Sequence, residues 1–171
     1  IKPQKVFLIF CANDYYNNSN NVVYGGYHKP YFLQNNAGEI SLQGVPVPVS
    51  GNYKMLNFTS DHPVLAKSHL VQWGVKLFYR GQHNLAKKRS LPDPTFAILK
   101  NINQFLQEKN TQFIVGIIDS DEGLENFLKQ QNITFIRLKN DFRFPKQGNH
   151  WNQKGHQFVA DTIFNWLNEN K

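Results

Sequence analysis

The residues best suited to chemistry lie in two short segments near opposite ends of the chain. The first is Cys11-Ala12-Asn13-Asp14, directly after an apolar run. A side-chain amide beyond the end of a buried strand can donate a hydrogen bond to a developing oxyanion, and Asn13 offers that chemistry. The plainer role for Asn13 or Asp14 is to cap a turn. The second segment is Gly148-Asn149-His150-Trp151-Asn152-Gln153-Lys154-Gly155-His156. Imidazole titrates near neutrality, so His150 can act as general base for a serine hydroxyl and later return the proton. His150 and His156 are not at the i, i+4 spacing of a helical zinc pair, and no Glu or Cys stands close by to complete a ligand set. No metal and no cofactor are expected.

A nucleophile is harder to find. No Gly-X-Ser-X-Gly elbow occurs. Ser120, within Ile118-Asp119-Ser120-Asp121, falls where a strand should give way to a helix. It is the candidate inside this chain, although a turn is the ordinary content of such a position. Asp119, Asp121 and Asp141 are the carboxylates that could orient an imidazole.

The elements that must position these residues read as follows. Val6-Phe7-Leu8-Ile9-Phe10-Cys11-Ala12 is a continuous apolar run, the mark of a strand buried on both faces in a parallel sheet. A polar loop is expected after it. Pro30-Tyr31-Phe32-Leu33 and Ile40-Ser41-Leu42 flank Asn35-Asn36-Ala37-Gly38, which predicts a hairpin. Val45-Pro46-Val47-Pro48 cannot be a central strand, because proline lacks the ladder donor. Asp61-His62-Pro63 predicts a helix start, with apolar content from Leu65 to Phe78, running through Tyr79 and ended by Gly81. A basic loop follows to Leu91. Asp93-Pro94 opens a second helix with Phe96, Leu99, Ile102, Phe105 and Leu106 at helical spacing.

Phe113–Ile118 and Ile133–Leu138 read as further strands, separated by a turn at 119–123 and a short helix holding Leu124, Phe127 and Leu128. A loop covers 139–152, and a last helix starts near Gln153. This order predicts one α/β domain over residues 1–171, layered on a parallel sheet. Three strands make a narrow sheet, and the first should not be left at an open edge. Either partner strands lie outside the chain, or the first strand's edge pairs with a second copy.

Taken together and in this order, the two segments carry a resemblance. Cys11-Ala12-Asn13-Asp14 resembles the Gly-Asn-Asp block of the SGNH/GDSL hydrolase superfamily. His150-Trp151-Asn152, then Gly155-His156 and Val159-Ala160, resembles that family's last block, Asp-Gly-His-Trp-Asn followed by Gly-His. Lys29-Pro30-Tyr31-Phe32, the hairpin and Val45-Pro46-Val47-Pro48 are similar to a bacterial branch of these proteins, so the likeness spans essentially the whole chain. It implies a three-layer, flavodoxin-like α/β/α fold with an inserted β-hairpin, and ester hydrolysis or acyl transfer through a serine. Asn13 would supply an oxyanion-hole donor and His150 the general base.

The departures are plain in the sequence. The Gly-Asp-Ser block is absent, as is the next block with its backbone donor, and the first strands would go with them. Gln147 and Gly148 stand where the family keeps its triad carboxylate. The chain, which begins at Ile1, is expected to be the C-terminal portion of such a protein and inactive alone. Its substrate would be an ester-bearing small molecule or an acylated glycan, and an N-terminal fragment would be its partner. The competing expectation is a non-catalytic relic of the fold that binds a glycan or a protein. In that case Tyr15, Tyr16, Tyr24, Tyr27, Tyr31 and Trp151 would stack on sugar.

Composition narrows the rest. The 171 residues are 40% hydrophobic and 14% aromatic, too apolar for a disordered chain and enough for a core. One cysteine excludes an internal disulfide framework. No apolar run approaches the ~20 residues that span a bilayer. The net charge of +7 could draw the chain to nucleic acid or anionic lipid. Only Lys87-Lys88-Arg89 clusters, however, and no nucleic-acid motif accompanies it, so no nucleic-acid partner is expected. No Lys/Arg-led apolar leader with a cleavage site is visible, and the compartment stays unassigned.

Overall fold

The computed structural model describes residues 3–22, 27–49, 51–85 and 91–170. Tyr24 and the Lys87-Lys88-Arg89 cluster lie outside them. In chain order the elements are β1 (Lys5–Phe10), α1 (Asn13–Asn18), β2 (Tyr31–Gln34), β3 (Ile40–Gln43), α2 (Gly51–Asp61), α3 (His69–Leu85), α4 (Thr95–Glu108), β4 (Gln112–Ile117), α5 (Glu122–Gln130), β5 (Thr134–Arg137) and α6 (Gln153–Glu169), with a 3-10 turn at Leu65–Lys67. The chain divides into two compact units, residues 1–12 with 98–171, and residues 13–97. The division falls inside α4.

The first unit is mixed α/β, built on a three-stranded parallel sheet flanked by helices, in the order β1-β4-β5. Register runs Phe7↔Ile114 and Ile9↔Gly116 on one side of β4, and Gly116↔Ile136 on the other. The apolar runs seen in the sequence are these strands. β4 is buried from Phe113 to Ile117, and Ile114 and Val115 are fully shielded. Strand alternation sends Ile114 and Gly116 to one face and Phe113, Val115 and Ile117 to the other. On the first face Ile114, Ile136, Leu138 and Val159 of α6 form a cluster edged by Phe7, Trp151, Ile163 and Trp166. The end of α6 is held to β1 by the edge-on Phe7–Trp166 contact at 5.8 Å and by Lys5 Nζ, which donates to the Asn170 carbonyl at 2.6 Å.

α5 starts at its N-cap Asp121, whose carboxylate accepts from Leu124 N at 2.9 Å. It is joined to the end of β5 by Arg137, which grips the Glu125 carboxylate through Nε at 2.7 Å and through Nη2. That guanidinium hydrogen bond holds the Glu125 carboxyl below its ordinary range. β1 is only half-buried, and Ile9 is 44% exposed. No strand pairs its outer edge among the described residues.

The second unit contains the expected hairpin. β2 and β3 pair antiparallel, and Asn35 closes the turn by accepting from Ala37 N at 3.0 Å and Glu39 N at 2.9 Å. Gly38 supplies the left-handed residue, with φ +84°. Residues 45–49 form no strand, as the prolines require. α4 opens where expected, since Asp93 Oδ1 accepts from Thr95 N at 3.0 Å.

Three expectations are corrected. The segment after β1 is not a polar loop but the short helix α1. Asp61-His62-Pro63 ends a helix rather than starting one: α2 precedes it, His62 N donates to the Phe58 carbonyl at 3.0 Å, and proline cannot donate to continue the ladder. Gly81 lies inside α3, which runs on to Leu85.

Two glycines test the packing. A Cβ on Gly116 would lie 2.5 Å from Leu138 Cδ1, while one on Gly74 in α3 would meet nothing within 4 Å. Gly116→Ala should cost about 1–3 kcal/mol and Gly74→Ala should add about 0.5–1 kcal/mol in urea unfolding. Glu125→Gln checks the α5–β5 link. The folded-state pKa of Glu125 lies below the unfolded value, so its contribution is present above the unfolded pKa and fades as pH falls through the folded one. The difference in Tm between wild type and Glu125→Gln should therefore shrink on acidification from neutrality.

Candidate functional site

The expected site residues of the first unit gather beyond the carboxyl ends of β4 and β5, the side where open parallel sheets bind ligands. The loop from 139 to 152 is not irregular. Phe144 N donates to the His150 carbonyl at 2.8 Å and Asn152 N to the Phe142 carbonyl at 3.0 Å, making a small antiparallel hairpin with an Arg143–Trp151 bridge. Its turn contains Gly148 at φ +67° and Asn149 at φ +61°. His150 therefore stands on the stem of a hairpin, exposed to solvent, at the edge of a rigid scaffold. Its imidazole lies against the backbone of Gly148, where a Cβ would come within 3.3 Å of Nε2.

Four residues fix the hairpin, Asn152 and Gly155 to α6, and Asn140 and Arg143 to the ends of the strands. Asn152 caps α6, its Oδ1 accepting from Gly155 N at 3.1 Å. Gly155 is buried so close to the loop that a Cβ would overlap the Phe142 carbonyl oxygen and meet Trp151 Cβ at 3.0 Å. Asn140, buried beneath, donates to the Leu138 carbonyl at 3.2 Å and accepts from Phe142 N at 3.1 Å. Arg143 donates to the Ile118 carbonyl at 2.9 Å and to Asp119 Oδ1 at 3.2 Å, tying the loop to the end of β4. The Trp151 indole packs against the core cluster and meets His156 edge-on at 5.7 Å.

The other candidates fall into place around this frame. Ser120 is exposed, and its Oγ accepts from Lys139 Nζ at 3.1 Å. An ammonium only donates, so this contact does not relieve the hydroxyl of its proton. Asp119 is held by Arg143 and Asp121 by the α5 cap, which leaves Asp141, exposed on the same loop as His150, as the remaining carboxylate of the three. A groove of about 250 Å³ is lined by Asp119, Lys139, Asn140, Asp141, Arg143 and Asn149, the neighbour of His150. A hollow of about 40 Å³, lined by Ser120 and Phe10 among others, lies at the ends of β1 and β4. Asn13 and Asp14 belong to the second unit, where they open α1, three and four residues past the last residue of β1. Among the described residues no cluster of three or more His, Cys, Asp or Glu could hold a metal ion.

Arg143, Asn140 and Lys139 were not legible as site residues. Arg143 is a lone cation in Asp141-Phe142-Arg143-Phe144-Pro145, and its partner carbonyl is 25 residues away. Only the absence of helical or strand period in that loop hinted that its side chains serve the loop itself.

No family model matches the chain, and neither the curated proteins nor the solved structures contain a significant match.

Arg143→Ala should cost about 1–3 kcal/mol, since it removes hydrogen bonds to the Ile118 and Asn140 carbonyls and one half-exposed ion pair. Asp119→Asn leaves both carbonyl contacts and should cost less than about 1 kcal/mol. Amide hydrogen exchange at Phe144 and Asn152 should quicken in the first variant and stay near wild type in the second. Equal protection in both would mean that Arg143 does not hold the hairpin.

Proposed function

We propose that these residues form the C-terminal part of an SGNH-type serine esterase or acyltransferase, acting on a carboxylic ester such as an acetylated glycan, with the nucleophilic serine N-terminal to residue 1. The observation that carries this reading is the braced hairpin presenting an exposed His150 beyond the carboxyl ends of three parallel strands. The order β1-β4-β5 supports it too, because it is one side of the flavodoxin-like order 2-1-3-4-5, with β1 in the place of the third strand. The outer edge of β1 is then where the two missing strands would add. In this reading all 171 residues belong to one three-layer α/β/α domain with β2–β3 inserted.

The steps follow from the chemistry of the groups. His150 removes the proton from the serine hydroxyl as its oxygen attacks the ester carbonyl. The Asn13 side-chain amide donates to the oxyanion of the tetrahedral intermediate. His150 gives the proton to the departing alkoxide, leaving an acyl-enzyme. Water, or an acceptor hydroxyl in acyl transfer, then repeats the sequence with His150 again as base. Asp141 or a backbone carbonyl would orient the imidazole. Ser120, bound to Lys139, is the weaker nucleophile.

One observation favours a second reading, a non-catalytic relic of the same fold that binds a glycan or a protein. Gln147 and Gly148 stand where the family keeps its carboxylate, Gly148 in a left-handed turn with the imidazole against it, and Asp119 and Asp121 are engaged elsewhere.

Hydrolysis of p-nitrophenyl acetate by the polypeptide carrying its N-terminal sequence separates the two. The esterase reading predicts turnover, a fall in kcat/KM of about 10³–10⁴-fold for His150→Ala, and a fall of about 10²–10³-fold for Asn13→Ala. The 171 residues alone should be inactive. A folded long form without turnover would overturn the esterase reading and leave the binding module.

A further inference from the structure

We propose that α2 and α3 form a docking surface for an anionic phospholipid bilayer, lying in the headgroup region without crossing it. The helix α3 is turned the wrong way for a helix that only packs inward. Among its described side chains, residues 69–78, the partly buried positions are Val71, Gln72 and Val75. Its exposed positions are the larger apolar ones: Leu70 at 76%, Trp73 at 62%, Leu77 at 50% and Phe78 at 63%. These four fall at i, i+3, i+7 and i+8, a single stripe over residues 70–78 of the helix, about 12 Å long. Gly74, on the same side, meets nothing. The preceding turn and α2, which pack against α3, also expose large apolar side chains, Val64 at 79% and Leu65, Leu56 and Tyr53. So many exposed large apolar side chains on neighbouring elements mark an interaction site rather than ordinary solvent-facing surface.

Charge selects the partner. Residues 51–90 hold seven Lys and Arg against the single Asp61, so six of the chain's seven net positive charges lie in this segment. Lys54, Lys67 and Lys76 are exposed within α2, the 3-10 turn and α3. Exposed Trp, Phe and Leu on one stripe with lysines beside them are the pattern of an interfacial helix on anionic lipid. Nucleic acid would use the cations but has no use for Leu70, Leu77 and Val64, and protein interfaces are depleted of lysine. Among the described residues no helix is long and apolar enough to cross a membrane, so the surface lies on the bilayer. This inference is independent of the ester chemistry, and its readouts do not use activity.

The test is co-sedimentation of the full chain with phosphatidylcholine vesicles containing either no anionic lipid or about 30% phosphatidylserine. The expected result is binding at least about tenfold tighter to the anionic vesicles, weakened by salt, with a blue shift of Trp73 emission that Trp73→Phe abolishes. Leu70→Gln with Leu77→Gln should lower binding at least about tenfold with unchanged circular dichroism, because both side chains are exposed in the free protein. Lys54→Gln, Lys67→Gln and Lys76→Gln together should lower it on the order of a hundredfold. Equal affinity for both vesicles, or none for either, overturns the proposal. So does tighter binding to duplex DNA than to the anionic vesicles. Sedimentation as a dimer that Leu70→Gln with Leu77→Gln dissolves would assign the stripe to a second copy. Trp73 already shielded from iodide in the vesicle-free monomer would assign it to another part of the chain.

Discussion

The first unit depends on the burial of β4. A strand shielded from Phe113 to Ile117 has no water for its amides and carbonyls, so both of its edges must be paired. β1 and β5 do this in parallel register, and the cost of leaving them out would be several orphaned polar groups. Gly116, next to the carboxyl end of the strand, lets Leu138 approach closely, which brings the start of the loop after β5 down onto the sheet. Ile118 directly follows β4, and Arg143 takes up its carbonyl. The hairpin that carries His150 is thus tied to the end of the most buried strand by a charged hydrogen bond, beside the Asp119 contact and the buried Asn140.

That arrangement suits a group that must hold one geometry while remaining open to solvent. A base on a free loop would lose orientation, whereas His150 sits on a stem whose turn, cap and brace each use a residue suited to that task. Gly155 gives close approach, Asn152 gives the cap, and Gly148 and Asn149 accept the left-handed turn. The half-buried strand β1, whose outer edge no strand pairs among the described residues, lies on the other side of the sheet. The second unit has a different character: its hairpin turn is closed by local side-chain hydrogen bonds, and its long helix exposes Leu70, Trp73, Leu77 and Phe78.

Much of the scaffold was legible because burial leaves a simple trace. Val6–Ala12, Phe113–Ile118 and Ile133–Leu138 are short, largely apolar runs that overlap β1, β4 and β5, and fully or half-buried strands need no other signal. Asp93-Pro94 announced α4 through cap chemistry that is local to a few residues, and Asn35–Gly38 announced its turn in the same way. α2 was missed because Tyr53 and Leu56 face solvent and leave no inward stripe to count. Pro63 was read from the wrong side, since a proline marks a helix boundary without saying which helix it bounds. His150 and Asn13 of the proposed site were singled out by residue type and by their place after an apolar run or before a helix. The Arg143 brace and the contact of Gly155 with Phe142 were not, because each joins residues that only the folded loop brings together.

The central claim is that His150 serves a serine lying N-terminal to these residues. Labelling the polypeptide that carries its N-terminal sequence with a fluorophosphonate, followed by peptide mass mapping, tests it directly. The account predicts one adduct, on a serine upstream of residue 1, that disappears in His150→Ala while the protein stays folded. An adduct that survives His150→Ala, one that maps to Ser120, or no adduct at all on the folded protein would contradict it.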